Sequence, residues 1–507
     1  MRENRYLAPQ WAWSLAVAIA FLIAGCTRGE EATARDPVAS LVAVAAAGPA
    51  ESAGQGGAVG RSGAAGVESA VAKPVRRGSL DRAAVDPVKA NGPIFEGWPR
   101  PEAAILISGE LFGYLEPCGC AGLENQKGGL KRRHTLVRQL ADRGWPLLEV
   151  DLGGQIRRYG PQAEIKFRMA VESLAQIGYQ AIGFGPQDLR LSVPQIVFVL
   201  SNLPNEKSPF VSANVGLFDF DSGFVDRWRT VTVGKRRVGV TTVLGEKYQQ
   251  RINNDDLVMK SPSEALAEVV PALRDEADFR ILLAYAPPEE SKGLAREFPD
   301  FDLVVTAGGA SEPPAGAVPI EGSKAQLLEL GHKGMYVMVV GLFNDPTTPV
   351  RVQRVPLDAR FKDSPEMQAM LVKYQAELKT LGLEGLGVTP TPHPSGRKFA
   401  GSQTCAECHA EATVVWEKTP HAHATETLMK LDPPRHHDPE CLSCHVTGWD
   451  PQKYYPFTSG YLDLDTTPLL KENGCENCHG PSADHVAAEE GDVEVNDDRL
   501  EQLRAQL

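Results

Sequence analysis

Cysteine is scarce through most of this 507-residue chain. Of nine cysteines, Cys26 stands near the start, Cys118 and Cys120 follow, and the other six fall between 405 and 478. No set is left over for a conventional disulfide framework. Histidine is also thin in the middle: residues 103–355 contain only His134 and His332, too few for a metal centre built on several imidazoles. A basic excess is missing. Lys and Arg number 52 against 65 Asp and Glu, a net charge of -13, so nucleic acid is a poor partner. Long apolar runs are missing too, apart from "WAWSLAVAIAFLIAG" at 11–25, which is short for a membrane-spanning helix.

That run follows Arg2 and Arg5 and ends at Cys26, the layout of an export signal. "LIAGC" resembles a bacterial lipobox, which implies a signal peptide over 1–25 and lipidation at Cys26. The alternative is an uncleaved anchor helix. Both place the body of the chain outside the cytoplasm, in the periplasm or at the cell surface, tethered to a membrane.

The acid excess is localised. Residues 401–507 hold 7 basic and 20 acidic side chains, so the preceding 400 residues balance to zero. Such a surface steers basic protein patches toward it, as redox partners would need; a merely solvated acidic face is the plainer alternative.

Residues 26–97 are Ala/Gly-rich without apolar periodicity and read as a flexible tether. From Ala103 short apolar runs ("AAILIS", "PLLEV", "AIGF", "PFVSAN", "RILLAY", "FDLVVT") alternate with amphipathic stretches near 130–143 and 162–177. This alternation predicts an α/β domain over 98–385. "RTVTVGKRRVGVTTV" reads as a hairpin turning at Gly234-Lys235. Asp363-Ser364-Pro365-Glu366 predicts a cap opening a helix that ends near Leu381. A Pro-rich linker, 386–397, leads to a last region, 398–507, with little periodicity and many Cys and His. A fold that small needs a cofactor inside it.

"CAECH", "CLSCH" and "CENCH" supply the reason. Cys-x-x-Cys-His is the attachment pattern of c-type haem: two thiols form thioethers with the vinyl groups and the adjacent His ligates iron. The pairs are Cys405 and Cys408, Cys441 and Cys444, Cys475 and Cys478, with His409, His445 and His479 as proximal ligands. Zinc or a redox dithiol is the alternative, but paired zinc knuckles do not call for a His directly after each motif. Three haems c are expected. Distal imidazoles would come from His421, His423, His436, His437 and His485, with His393 in the linker also available. Two imidazoles per iron make an electron carrier; one leaves a position open for a small ligand, and so an oxidoreductase acting on a nitrogen or sulfur compound.

The stretches "GSQTCAECHAEATVVWEKTPHAHA", "CLSCHVTGW" and "GCENCHGPSADH" resemble the tetrahaem cytochrome c-554 family over 400–488. The resemblance implies that His421, in Thr419-Pro420-His421-Ala422 after Trp416, is a distal ligand. It implies the same for His485, following Gly480-Pro481, and His436 or His437 would be the third. The family pattern has a fourth motif downstream, absent before Leu507. Either the chain is a trihaem variant or its reading frame is shortened.

Residues 103–355 resemble the metallophosphatase domain of periplasmic 5′-nucleotidases, through "AAILISGELFGY", "GGLKRRHTLV", "LLEVDLGG", "GYQAIGFGPQD", "FPDFDLVVTAGGAS" and "LELGHKGMYVMVVG". This implies a layered α/β sandwich whose catalysis needs two bridged metal ions. The ligand positions carry Glu110, Phe112 and Gly113, then Gly154, then Pro186 and Gln187, and no His across 308–312. The fold is expected to remain and hydrolysis to be lost. A rebuilt site on Glu110, Asp151, Asp188 and Glu312, with residual phosphohydrolase activity, is the alternative. Cys118 and Cys120, beside Lys127, Lys131, Arg132 and Arg133, are either a redox pair or a structural staple.

Overall fold

The computed structural model describes residues 86–117, 126–204 and 207–505. Cys26, Cys118 and Cys120 lie outside the described residues. Among those described, no helix is long and apolar enough to cross a membrane.

Among the described residues, thirteen strands follow one another through the middle region: β1 Ala103–Ser108, β2 Leu147–Asp151, β3 Ala181–Ile182, β4 Val215–Leu217, β5 Arg229–Val233, β6 Arg236–Leu244, β7 Leu257–Met259, β8 Phe279–Tyr285, β9 Leu303–Thr306, β10 Val318–Pro319, β11 Gln326–Glu329, β12 Tyr336–Leu342 and β13 Val350–Pro356. They build two main sheets, ordered β13-β12-β1-β2-β3 and β10-β11-β9-β8-β6-β5, plus the small β4–β7 pair. The parallel steps β1 to β2 to β3 and β6 to β8 to β9 are joined through helices, the usual crossover; β9 and β11, also parallel, are joined through β10.

The burial pattern fixes the layers. Every residue of β1 is buried, as a strand covered on both faces must be. Along β8, Ile281, Leu283 and Tyr285 enter the large central core. Leu282 and Ala284 point the other way, into a second core with Leu266, Val269 and Leu273 of the Pro262–Glu276 helix. The period of two separates an inter-sheet core from a sheet–helix core. Helices Leu130–Asp142, Pro161–Ile177 and Pro365–Gly385 send their apolar sides into the central core from the first sheet's flank.

Most sequence expectations land on their elements. The hairpin turns at Gly234, whose φ of 59° suits glycine. Ser364 caps the last helix through its hydroxyl, and helical geometry breaks at Gly382. Two expectations shrink. "AIGF" contributes only two strand residues. "PFVSAN" makes isolated bridges at Phe210 and Val211. There the Asn214 side chain takes over the strand's role, donating to Leu244 O at 2.8 Å and accepting from Leu244 N at 2.9 Å.

The last region is a set of short helices around a two-stranded ribbon, Trp449–Asp450 with Tyr455–Pro456. It packs with the α/β body: the described residues all fall within one compact unit.

Candidate haem-attachment site

Each Cys-x-x-Cys-His motif sits on or beside a short helix: Ser402–Cys408, Pro439–His445 and Glu476–His479. A helical turn brings residues three and four apart to one side, so both thiols and the imidazole of each motif face a common space. In every motif the first cysteine is half-buried and the second exposed, and all six are free.

Beside a small set of buried apolar side chains, Leu442, Val446, Trp449, Tyr461 and Leu470, hydrogen bonds hold this region together. Glu476, buried, accepts from the backbone N–H of Ala400, Gly401 and Ser482 at 2.7–2.9 Å, stapling the third motif to the first. Ser402 Oγ accepts from Cys475 N at 3.1 Å. The second and third motifs are tied by Asn473 Nδ2 to Cys444 O and Asn477 Nδ2 to Val446 O, both 2.9 Å. Thr447 Oγ1 accepts from Gly474 N at 3.0 Å. Charged and amide groups used in this way order a fold that apolar area cannot.

Several large apolar side chains meanwhile stay exposed: Val414, Val415, Met429 and Leu469. Exposed apolar side chains in a region that also carries six free thiols suit a flat apolar macrocycle. His445 gives a second fit. Its Nδ1 lies 2.7 Å from Ala424 O, a bond in which Nδ1–H donates, so that the Nε2 lone pair would be the one to ligate iron. Burial raises the Cys405 thiol to about 11, with the neighbouring Cys475 thiol and Glu476 adding to it. Burial also pushes Cys441 well above its ordinary value. Both thiols are therefore protonated in the haem-free chain. Among the described residues no group of three or more Cys, His, Asp or Glu converges as a metal cage. The residues present fit covalently attached haem.

The distal candidates divide. His485 is mostly buried, and its Nδ1 has no hydrogen-bond partner among the described residues. The rings of His436 and His437 touch with centroids 3.9 Å apart, tilted by 46°, and His436 Nδ1 is likewise unpartnered among the described residues. Burial, then its neighbour His436, lowers His437 to about 4, so it is neutral, the ligating form. His421 is exposed on the turn Pro420–His423. His423 is engaged with Glu417 O at 3.2 Å, and His393 with Ser395 Oγ at 2.8 Å.

The phosphatase-type positions do come together, at the carboxyl ends of the strands. The loop after β1 pairs with the loop after β2 through Glu110 N to Gly153 O and Phe112 N to Gly154 O. Glu110 is buried, with Tyr285 Oη at 3.4 Å and His332 Nε2 at 3.5 Å. Burial raises its carboxyl to about 7. Asp188 is consumed by the backbone N–H of Gly154, Gln155, Ile156 and Gly185. Asp151 accepts from Ser108 Oγ and Gln155 Nε2 and faces Arg133 at 3.7 Å. Glu312 pairs with Arg354. Sequence reasoning missed Tyr285 and Arg133 as the groups filling this site. A strand-terminal Tyr and an Arg in a buried helix were the available signals.

The cations beside Cys118 and Cys120 in sequence are engaged elsewhere. Lys127 donates to Tyr336 Oη, Lys131 pairs with Glu116 and Asp363, Arg132 donates to Leu357 O, and Arg133 donates to Ser108 Oγ.

Comparison with known proteins agrees with this division. Residues 404–480 match the family model described as Cytochrome c554 and c-prime. Over 96 residues the chain is 36% identical to cytochrome c-554 of Nitrosomonas europaea, covering 16% of this chain and 38% of that protein. Over 252 residues it is 23% identical to an apyrase of Aedes aegypti, covering 44% of this chain and 45% of that protein. The chain therefore spans less than half of each of these curated relatives. A 5′-nucleotidase precursor from Thermus thermophilus superposes with a TM-score of 0.47 at 18% identity, over 55% of this chain and 59% of the other.

Proposed function

We propose that this chain is an exported, lipid-anchored cytochrome carrying three c-type haems, which moves electrons between partner proteins outside the cytoplasm. Cys405, Cys408, Cys441, Cys444, Cys475 and Cys478 hold the porphyrins; His409, His445 and His479 ligate iron from one side. His485 and one of His436 and His437 ligate from the other, with His421 the remaining distal ligand. When bound, haem supplies reversible one-electron chemistry. The chain supplies attachment, neutral imidazoles and partial burial, which set potentials. Basic partner surfaces would dock on the acidic last region.

The observation that carries this reading is the repeated arrangement itself. Three motifs each present one half-buried and one exposed free thiol in a region of short helices laced by hydrogen bonds with few buried apolar side chains. The α/β body then acts as scaffold, its hydrolytic site closed: Tyr285, Arg133 and backbone N–H groups take up the room and the carboxylates that metals would need.

Optical spectra test the proposal. The reduced full-length protein should show the sharp bands of low-spin c-type haem, unchanged under carbon monoxide. A large shift with carbon monoxide would mean an open iron position and an enzyme acting on a small molecule. Near-stoichiometric divalent metal with phosphate release would mean a surviving hydrolase.

A further inference from the structure

One buried charge cluster lies between the α/β body and the last region, away from the closed phosphatase-type site. Lys166, on the Pro161–Ile177 helix, has only 10% of its side chain exposed, and its Nζ is 2.7 Å from Oε2 of Glu440. Glu440 immediately precedes Cys441. One turn before Lys166, Gln162 donates its amide to Asp438 Oδ1 at 2.7 Å. Gln375, on the Pro365–Gly385 helix, donates to Asp438 Oδ2 at 3.0 Å. Asp438 in turn caps the Pro439–His445 helix, accepting from Glu440 N at 3.0 Å. The helix that bears the second motif is thus seated on side chains of the α/β body.

The seat is selective. Among the described residues, the two ion pairs joining the body to the last region are Lys166–Glu440 and Glu116–Arg435. Both fall on the segment leading into the second motif. Burial by itself would lower the Lys166 ammonium's pKa, but the carboxylates of Glu440 and Asp438 outweigh burial and raise it, and the charge is felt at the Cys441 sulfur. A buried ion pair is weak evidence for stability, because desolvation offsets the attraction. The same low dielectric makes its field strong at a neighbouring group. A fixed cation favours the haem state that carries one more electron; a fixed carboxylate opposes it.

We infer that Lys166, a residue of the α/β body, sets the reduction potential of the haem attached at Cys441 and Cys444, with Glu440 as its counterweight. This rests on the three-haem reading above. It makes the body a tuning element of one haem site, with Lys166 a positioning charge and not a ligand.

Spectroelectrochemical titration of the full-length holoprotein, at one pH, tests it in K166M, K166R and E440Q. In K166M one reduction step falls at least tenfold in its equilibrium constant, about 59 mV for one electron. In E440Q the same step rises. In K166R it stays within about threefold of the parent, roughly half that voltage. The step that moves is the one a C441A/C444A variant lacks. Unmoved steps in E440Q, the same direction of shift in K166M and E440Q, or movement of a different step would overturn the inference. If K166M does not fold, E440Q decides alone. A parent protein without three haems would instead defeat the motif reading underneath.

Discussion

The hydroxyl of Tyr285 stands 3.4 Å from Oε1 of Glu110, and its ring lies 3.1 Å from where a β-carbon on Gly154 would sit. Gly154, at a φ of 78°, stands where the resemblance to 5′-nucleotidases implies a metal-ligand aspartate. Tyr285 takes up the volume that a carboxylate side chain at position 154 would need. Restoring the acid as Gly154→Asp is therefore expected to cost about 2–4 kcal/mol, from overpacking and a left-handed backbone. It should bring no divalent metal with it. Urea denaturation and elemental analysis of the variant check both parts; a stable variant that gains metal would show the site to be dormant, not closed.

Arg133 and Asp151 are fully buried, with Nη1 3.7 Å from Oδ2. Removing the guanidinium leaves a buried carboxylate without its cation, so Arg133→Met should destabilise by about 3–5 kcal/mol. R133M/D151N should cost less than the two single changes summed, by at least about 1 kcal/mol. Strict additivity in a double-mutant cycle would mean that the pair does not interact.

Burial raises Glu110 from 4.5 to about 7. A carboxyl with a raised folded-state pKa holds its proton better folded than unfolded. Its contribution is full below pH 4.5 and is lost as pH climbs to about 7, by roughly 3 kcal/mol. Glu110→Gln should flatten the stability profile across that window by a similar amount. Urea midpoints at pH 5 and pH 8 provide the comparison, and an unchanged slope in E110Q would mean that Glu110 titrates normally.

Local chemistry made much of the fold legible. The strand at 103–108, the hairpin about Gly234 and the Ser364 cap each depend on a period or a turn residue within a few positions. The three motifs were legible for the same reason. The packing of Tyr285 against Gly154 was not, because the two approach each other across 131 positions of chain. The seat of the second motif was equally hidden: Lys166 meets Glu440 across 274 positions. Neither residue differs locally from a solvated charge on a helix, and only tertiary packing brings them together. The expected strand at "PFVSAN" failed because Asn214 replaces ladder bonds with its own amide, a competition that β propensity does not register.

The thiols of haem-free protein should separate by exposure. Cys408, Cys444 and Cys478 are exposed, whereas Cys405 is half-buried and raised by burial from 9.0 to about 11. Its thiolate fraction is then about a hundredfold lower. Alkylation followed by peptide mass spectrometry should label the three exposed thiols quickly, with Cys405 and Cys441 last. Uniform labelling would contradict the placement of these helices.

The most direct measurement is covalent haem per chain, by pyridine haemochrome and intact mass on protein exported through a c-type maturation system. Three porphyrins should remain attached after acidic extraction, with all six motif cysteines unavailable to alkylation. A colourless protein whose six thiols are free, or bound to zinc, would contradict the account.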